Sequence, residues 1–228
     1  MPSAPARLTV AEVARQRSTI LQDLGLDQYQ QRGNTLELGA MLPLQRLLSL
    51  GESGDLPLPG DLPLAVEKEA SYNLRQAASL AGTLVAADGR SPLTTAMLAL
   101  EAVLTLLPGD EQVSLGELLP LRGERLAGRL ISQVSIPSHV KLAYESVARS
   151  PADRPLVCAA VAMWPGGRVR VALGGFGRAP LLAFDGTEPA GVDIAARSAY
   201  SQAGDEWAAA DYRSDVAGVL AQRCLNRL

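Results

Sequence analysis

The run Leu156-Val157-Cys158-Ala159-Ala160-Val161-Ala162-Met163-Trp164, the tetrapeptide Pro165-Gly166-Gly167-Arg168 and the run Val169-Arg170-Val171-Ala172-Leu173 together decide how the second half of this chain folds. Two β-rich arms around a Pro-Gly-Gly turn are a hairpin signal. Downstream, Gly174-Gly175-Phe176-Gly177 reads as a turn after the second arm, and Pro180 to Phe184 as a third extended piece. The stretch Asp205 to Leu225 carries an apolar stripe through Ala209, Tyr212, Val216, Val219, Leu220 and Cys224, which predicts a helix packed on that sheet with Asp205 as its cap and Trp207 inside it. Upstream, Leu130 to Val134 is strand-like and Ile136-Pro137-Ser138 an extended link.

The first half reads mainly as helices. Thr9 and Glu12 suit the start of a helix near Ala11, within Leu8 to Leu24. A turn at Gln31-Arg32-Gly33-Asn34 precedes an alternating strand at Leu36-Glu37-Leu38, closed by Gly39-Ala40, and Met41 to Leu48 suits a short helix. Gly51 to Pro63 is punctuated by prolines and glycines and predicts a loop. Val66, Ala70, Leu74 and Ala77 recur at helical spacing, predicting a helix over Leu64 to Ala78 that meets a small-residue turn, Ser79 to Thr83, leading into Leu84 to Ala87. Ser91-Pro92 is a start signal for a helix over Leu93 to Leu107, apolar nearly all round and so buried, stopped by Pro108-Gly109. Val113 to Leu119 reads as a short strand and turn, and Leu118 to Ala127 as a mixed loop.

The chain has 228 residues, 47% hydrophobic and 20% charged, enough to bury a real core. A net charge of −3 argues against nucleic-acid binding. Only Lys68 and Lys141 are lysine among the basic residues. Cys158 and Cys224 show no CxxC spacing and His139 is the single histidine, so neither a metal site nor a His-dependent nucleophile constellation is expected. His139 reads as a turn residue, Trp164 and Trp207 as core or edge aromatics, and Asp88, Asp153 and Asp185 as loop acids. No apolar run has the length of a signal peptide or a membrane span, which leads to the expectation of a soluble, cytoplasmic protein.

Three segments in order carry more information than any one of them: Leu36-Glu37-Leu38-Gly39-Ala40-Met41, then Arg75 to Leu84, then Met97-Leu98-Ala99-Leu100-Glu101-Ala102. This series resembles the FAD-binding subunit of molybdenum hydroxylases, the flavoproteins of carbon monoxide dehydrogenase and xanthine dehydrogenase, whose members read I-G-A, then I-R-N-x-x-T-I-G-G-N-L, then L-A-L-x-A. Tyr144 to Ser150, Val157 to Ala162, Val169 to Gly175 and Asp211-Tyr212-Arg213 to Arg223 look like that family's C-terminal domain. The resemblance covers roughly Ser18 to Leu225.

The resemblance implies an α+β fold. A truncated FAD-binding region over 1–134 would be followed by a C-terminal domain over 135–228 with a three-stranded antiparallel sheet and helices. It implies FAD as cofactor, lined by Ser79, Leu80, Ala81, Gly82, Thr83 and Asp88, with an iron–sulfur subunit and a molybdopterin subunit as partners. In that setting FAD would relay electrons to an external acceptor, and the chain would not be catalytic alone. The family's A-G-G-T-D-L pyrophosphate loop has no counterpart before Leu36. The T-I-G-G-N segment here reads Ser79-Leu80-Ala81-Gly82-Thr83, and the acid before the buried helix is replaced by Pro92. These departures define the alternative, a degenerate subunit that assembles or docks without flavin.

Overall fold

The computed structural model describes residues 25–228; the helix expected within Leu8 to Leu24 lies outside them. Strands β1 (Tyr29–Arg32) and β2 (Thr35–Gly39) form a hairpin whose register, Arg32 opposite Thr35, leaves Gly33 and Asn34 at the turn. Gly33 takes a φ of +57°, a conformation glycine adopts without steric cost. The first sheet has the order β1-β2-β5-β3-β4, with β3 (Val103–Leu107), β4 (Glu111–Ser114) and β5 (Leu130–Pro137), and every pairing in it is antiparallel. The second runs β6-β7-β8-β9 through Lys141–Val147, Val157–Met163, Val169–Gly174 and Leu181–Gly186, again antiparallel. Among the described residues six helices accompany the first sheet: α1 (Leu44–Ser53), α2 (Leu62–Glu69), α3 (Tyr72–Ala77), α4 (Leu80–Ala86), α5 (Pro92–Ala99) and α6 (Leu115–Arg125). Two follow the second sheet, α7 (Val192–Ala199) and α8 (Ala210–Asn226).

The second sheet is covered on both sides, which explains why β7 is apolar without alternation. Cys158, Ala160 and Ala162 face the core shared with α5, whereas Val157, Ala159 and Val161 face the core built with α7 and α8. All eight residues of α5 are buried, and the helix packs within the first core against the inner face of the second sheet. Small residues line its contact with the sheet because the approach is close: a Cβ on Gly174 would overlap Thr95 Oγ1 of α5. Ser91 caps α5, accepting from the Thr94 amide at 3.1 Å, with Pro92 in its first turn, as the sequence predicts.

Several expected elements change. The helix expected over Leu93 to Leu107 ends at Ala99, and Val103–Leu107 is strand β3. The chain reverses at Glu101, whose φ of +57° is held by ion pairs with Arg168 and Arg170. The helix expected over Leu64 to Ala78 is two, α2 and α3, broken at Ala70, which is extended. The loop expected over Gly51 to Pro63 is shortened at both ends by α1 and α2. The strand expected from Val113 ends at Ser114, where a capping box with Glu117 starts α6, so Leu118 to Arg125 is helix and not loop. The C-terminal sheet has four strands instead of three, because Lys141–Val147 pairs along the whole of β7. Asp205 does not cap α8, whose N-cap is Ala209; it accepts from the amides of Trp207 and Ala208 and pairs with Arg213, leaving Trp207 ahead of the helix. Gly174 to Gly177 does join β8 to β9, and it also docks on Gly89 through the Gly175 amide.

Candidate functional site

Helix α4 begins where the chain from β2 to α1 passes beneath it. The amides of Leu80 and Ala81 donate to the carbonyls of Leu42 and Ala40 at 2.9 and 3.0 Å, and the Leu44 amide donates to Ala78 O at 3.0 Å. These bonds seat the start of α4 against the core, with Leu80 and Ala81 buried. Ser79 is the cap: its Oγ accepts from the Gly82 amide at 3.2 Å, and its carbonyl accepts from both the amide and the hydroxyl of Thr83. The segment expected as a turn is therefore the first turn of a helix. Gly82 is exposed, helical and without a side chain, and a Cβ there would meet only Ser79 Oγ.

Two open grooves meet at Gly82. One, of about 550 Å³, is bounded by Glu69, Leu74, Ser79, Thr83 and Arg154. The other, of about 320 Å³, is bounded by Met41, Ser79, Ala81, Val85 and Arg129. Leu74 is 62% and Val85 42% exposed, so both grooves have apolar walls open to solvent. Each also carries one guanidinium. Arg154 is held bidentately by Asp88 at 2.6 and 2.8 Å, and Arg129 pairs with Glu111.

Glu69 is the ionisable group set deepest in the larger groove. Its Oε2 accepts from Ser91 Oγ at 2.8 Å and from the Leu93 amide at 2.9 Å, at the start of α5. Burial raises its pKa above the ordinary carboxylate value, a shift opposed by those two hydrogen bonds and by Arg154. A carboxylate thus serves the α5 N-terminus from a different helix.

The structure gathers Ser79, Ala81, Gly82 and Thr83 at the grooves, turns Leu80 into the core, and sets Asp88 outside both. Asp88 acts through others: it accepts from the Arg90 amide at 2.8 Å and fixes Arg154, while Arg90 donates to the carbonyls of Arg154 and Pro155. Sequence reasoning missed Glu69, Arg129 and Arg154, which come from three distant segments and share no local motif. Cys158 and Cys224 are buried thiols, pushed up by burial to about 11 and about 12, and stay protonated at neutral pH. Among the described residues no group of three His, Cys, Asp or Glu side chains is placed to hold a metal, and no helix is long and apolar enough to cross a membrane.

Two antiparallel sheets joined by a buried helix, with grooves meeting at a glycine on a capped helix start, define a mixed α/β ligand-binding protein. The model of the FAD binding domain in molybdopterin dehydrogenase matches residues 12–139, more than half of the chain, and the chain belongs to that family of FAD-binding oxidoreductase domains. The fold is shared with many solved chains, among them the following three. Quinoline 2-oxidoreductase from Pseudomonas putida 86 is 22% identical over 89% of this chain and 77% of that one, with a TM-score of 0.71. Carbon monoxide dehydrogenase from Hydrogenophaga pseudoflava, in a form lacking the Mo-pyranopterin moiety, is 24% identical over 88% and 77%, at 0.69. Reconstituted CO dehydrogenase from Oligotropha carboxidovorans is 21% identical over 89% and 78%, at 0.72. Comparison with curated proteins gives no match.

Where the grooves meet, the surface carries the Ser79 hydroxyl and the Gly82 amide, which donates to Ser79 Oγ at 3.2 Å, with no side chain on Gly82. Arg154 and Arg129 stand at opposite sides. The amides of Leu80, Ala81 and Thr83 already serve carbonyls of the chain itself, so this segment offers one backbone donor rather than several.

Proposed function

We propose that this chain is the FAD-binding, electron-transferring subunit of a molybdenum hydroxylase-like complex, working in the cytoplasm with an iron–sulfur subunit and a molybdopterin subunit. When bound, FAD would supply the redox chemistry of electron transfer between the partner subunits and an external acceptor. The residues of this chain bind and orient. Ser79 and Gly82 take the pyrophosphate, each charge-assisted hydrogen bond contributing about 1.5–3 kcal/mol. Thr83 braces the cap through Ser79 O. Asp88 acts at one remove by holding Arg154, and Leu80 and Ala81 anchor the helix start. Leu74 in one groove and Val85 in the other give each an apolar wall against which a flat ring can pack. The observation that carries this reading is the side-chain-free meeting point of two grooves at Gly82, inside a chain of the FAD-binding family.

The division into an FAD-binding-type region over 1–134 and a C-terminal-type region over 135–228 is part of the same proposal. The change of sheet after β5 supports two regions, with the break between Pro137 and Lys141 rather than inside β5. One observation favours the second reading, a docking subunit without flavin: three of the four amides from Leu80 to Thr83 already bond to the chain's own carbonyls. The visible spectrum of the purified protein, alone and co-expressed with its partner subunits, separates the two. A flavin spectrum in either preparation supports the electron-transfer reading, and colourless protein in both supports docking.

A further inference from the structure

Glu69 closes helix α2, and the chain turns away from it at Ala70, which is extended. Arg75 fastens that turn by donating to the carbonyls of Glu67 and Ala70 at 2.9 and 2.6 Å. The carboxylate is thereby held at the start of α5, where Oε2 accepts from both Ser91 Oγ and the Leu93 amide. Oε1 is left over. Among the described residues nothing donates to it, and it stays open to solvent instead of being sealed in the core. Glu69 lines the larger groove at Gly82, so the solvent that Oε1 meets is the groove's. Helix α5 has no use for this second oxygen: Ser91 caps it, and Pro92 has no amide hydrogen to satisfy.

Arg154 lines the same groove. Its two terminal nitrogens each give one bond to Asp88, and a guanidinium carries five N–H donors, so others remain for a ligand. Arg154 and Glu69, both among the described residues, form no ion pair with each other, yet the guanidinium is near enough to favour the ionised carboxylate. One groove therefore presents a free acceptor and free donors. A phosphate group accepts only, and the carboxylate repels it. A hydroxyl suits both partners, because it donates to the carboxylate and accepts from the guanidinium. In FAD the group next to the pyrophosphate is a sugar on either side, the ribose of the adenosine half or the ribityl chain of the flavin half.

We infer that Glu69 and Arg154 form a sugar site in the larger groove, with Glu69 Oε1 accepting from hydroxyls of the cofactor and Arg154 donating to them, while the pyrophosphate stays at Ser79 and Gly82. The inference rests on the flavin reading and adds to it which part of the cofactor enters that groove.

The test uses the full chain and three probes: FAD, FAD with a 2′,3′-dideoxyribose in its adenosine half, and FAD whose ribityl chain has lost its hydroxyls. Affinities are read by fluorescence titration at neutral pH, and each analogue is compared with FAD within the same variant, so that a general loosening of the fold cancels. In wild type one analogue should bind about tenfold to a hundredfold more weakly than FAD, the loss of a hydrogen bond to a charged group. Which analogue suffers says which sugar occupies the groove. In Glu69→Gln the amide oxygen can keep the bonds to Ser91 and Leu93 while the charge is gone, and the penalty should shrink to about threefold or less. Arg154→Gln, which bears on no helix start, should shrink it as well and serves if Glu69→Gln does not fold. Two analogues that bind as tightly as FAD, or a penalty that survives both substitutions, overturn the inference and leave the flavin reading standing. Failure of wild type to bind FAD, alone and with its partner subunits, overturns both.

Discussion

Gly82→Val separates binding from folding at the site. In the sequence this glycine looks like a turn residue whose replacement would strain the backbone; in the structure it is helical, and a Cβ would meet only Ser79 Oγ, at 2.8 Å. Displacing that cap costs about 1 kcal/mol. Replacing glycine by valine inside a helix returns about 0.4 kcal/mol. The net is about 0.5 kcal/mol, which for a chain of this size lowers the thermal midpoint by about 1–2 °C. Binding should suffer far more. The isopropyl group would stand where the two grooves meet, and by keeping the pyrophosphate off the Gly82 amide it removes about 1.5–3 kcal/mol, or about tenfold to a hundredfold in FAD affinity. Differential scanning fluorimetry and FAD fluorescence titration on the same preparations measure the two quantities. FAD affinity within about twofold of wild type, at an unchanged midpoint, would refute the assignment of Gly82 to the cofactor path, since the predicted loss is at least tenfold.

Other expectations follow from the same contacts. Burial raises the Glu69 pKa above 4.5, so its folded-state value exceeds its unfolded one and the ionised form costs stability. The stability of wild type relative to Glu69→Gln should therefore rise as pH falls from 7 toward 4.5, measured by urea unfolding; a difference that stays flat or moves the other way contradicts the buried-carboxylate reading. Glu101→Gln removes a charge facing Arg168 and Arg170, the latter only 7% exposed. A loss of about 1–3 kcal/mol is expected in denaturant titration, discounted from the value of a fully buried pair because Glu101 is partly solvated. Arg213 is fully buried, donating to the carbonyls of Leu156, Ala203 and Ala208 and pairing with Asp205. Arg213→Met should cost about 3–5 kcal/mol and lower the midpoint by about 6–20 °C. An unchanged midpoint would show that its bonds are replaceable by solvent.

The hairpin at Pro165 to Arg168, the Ser91-Pro92 helix start and the β1–β2 turn were legible because each rests on local chemistry: turn glycines, a capping hydroxyl and a proline in a first helical turn. The run Leu93 to Leu107 misled because its apolar residues have no polar face to set a period. What divides it into α5 and β3 is the reversal at Glu101, held by arginines nearly seventy positions away, Arg168 just before β8 and Arg170 on it. Helix α6 was hidden by Gly116, Pro120 and Gly123, although Ser114 and Glu117 spelled its capping box. The site was half legible. Ser79 to Thr83 could be singled out as a short ordered motif, whereas Glu69, Arg129 and Arg154 reach the grooves only through tertiary contacts. Asp88 was visible as a loop acid, but its role in fixing Arg154 depends on a partner 66 positions away.

The most direct test of the account is isothermal titration of the full chain with FAD, with FMN, which lacks the adenylate, as comparator. Binding of one FAD per chain, clearly tighter than FMN because the pyrophosphate and adenosine add contacts across Gly82, is the predicted result. No heat of binding for FAD, in the chain alone and in its complex with partner subunits, would contradict it.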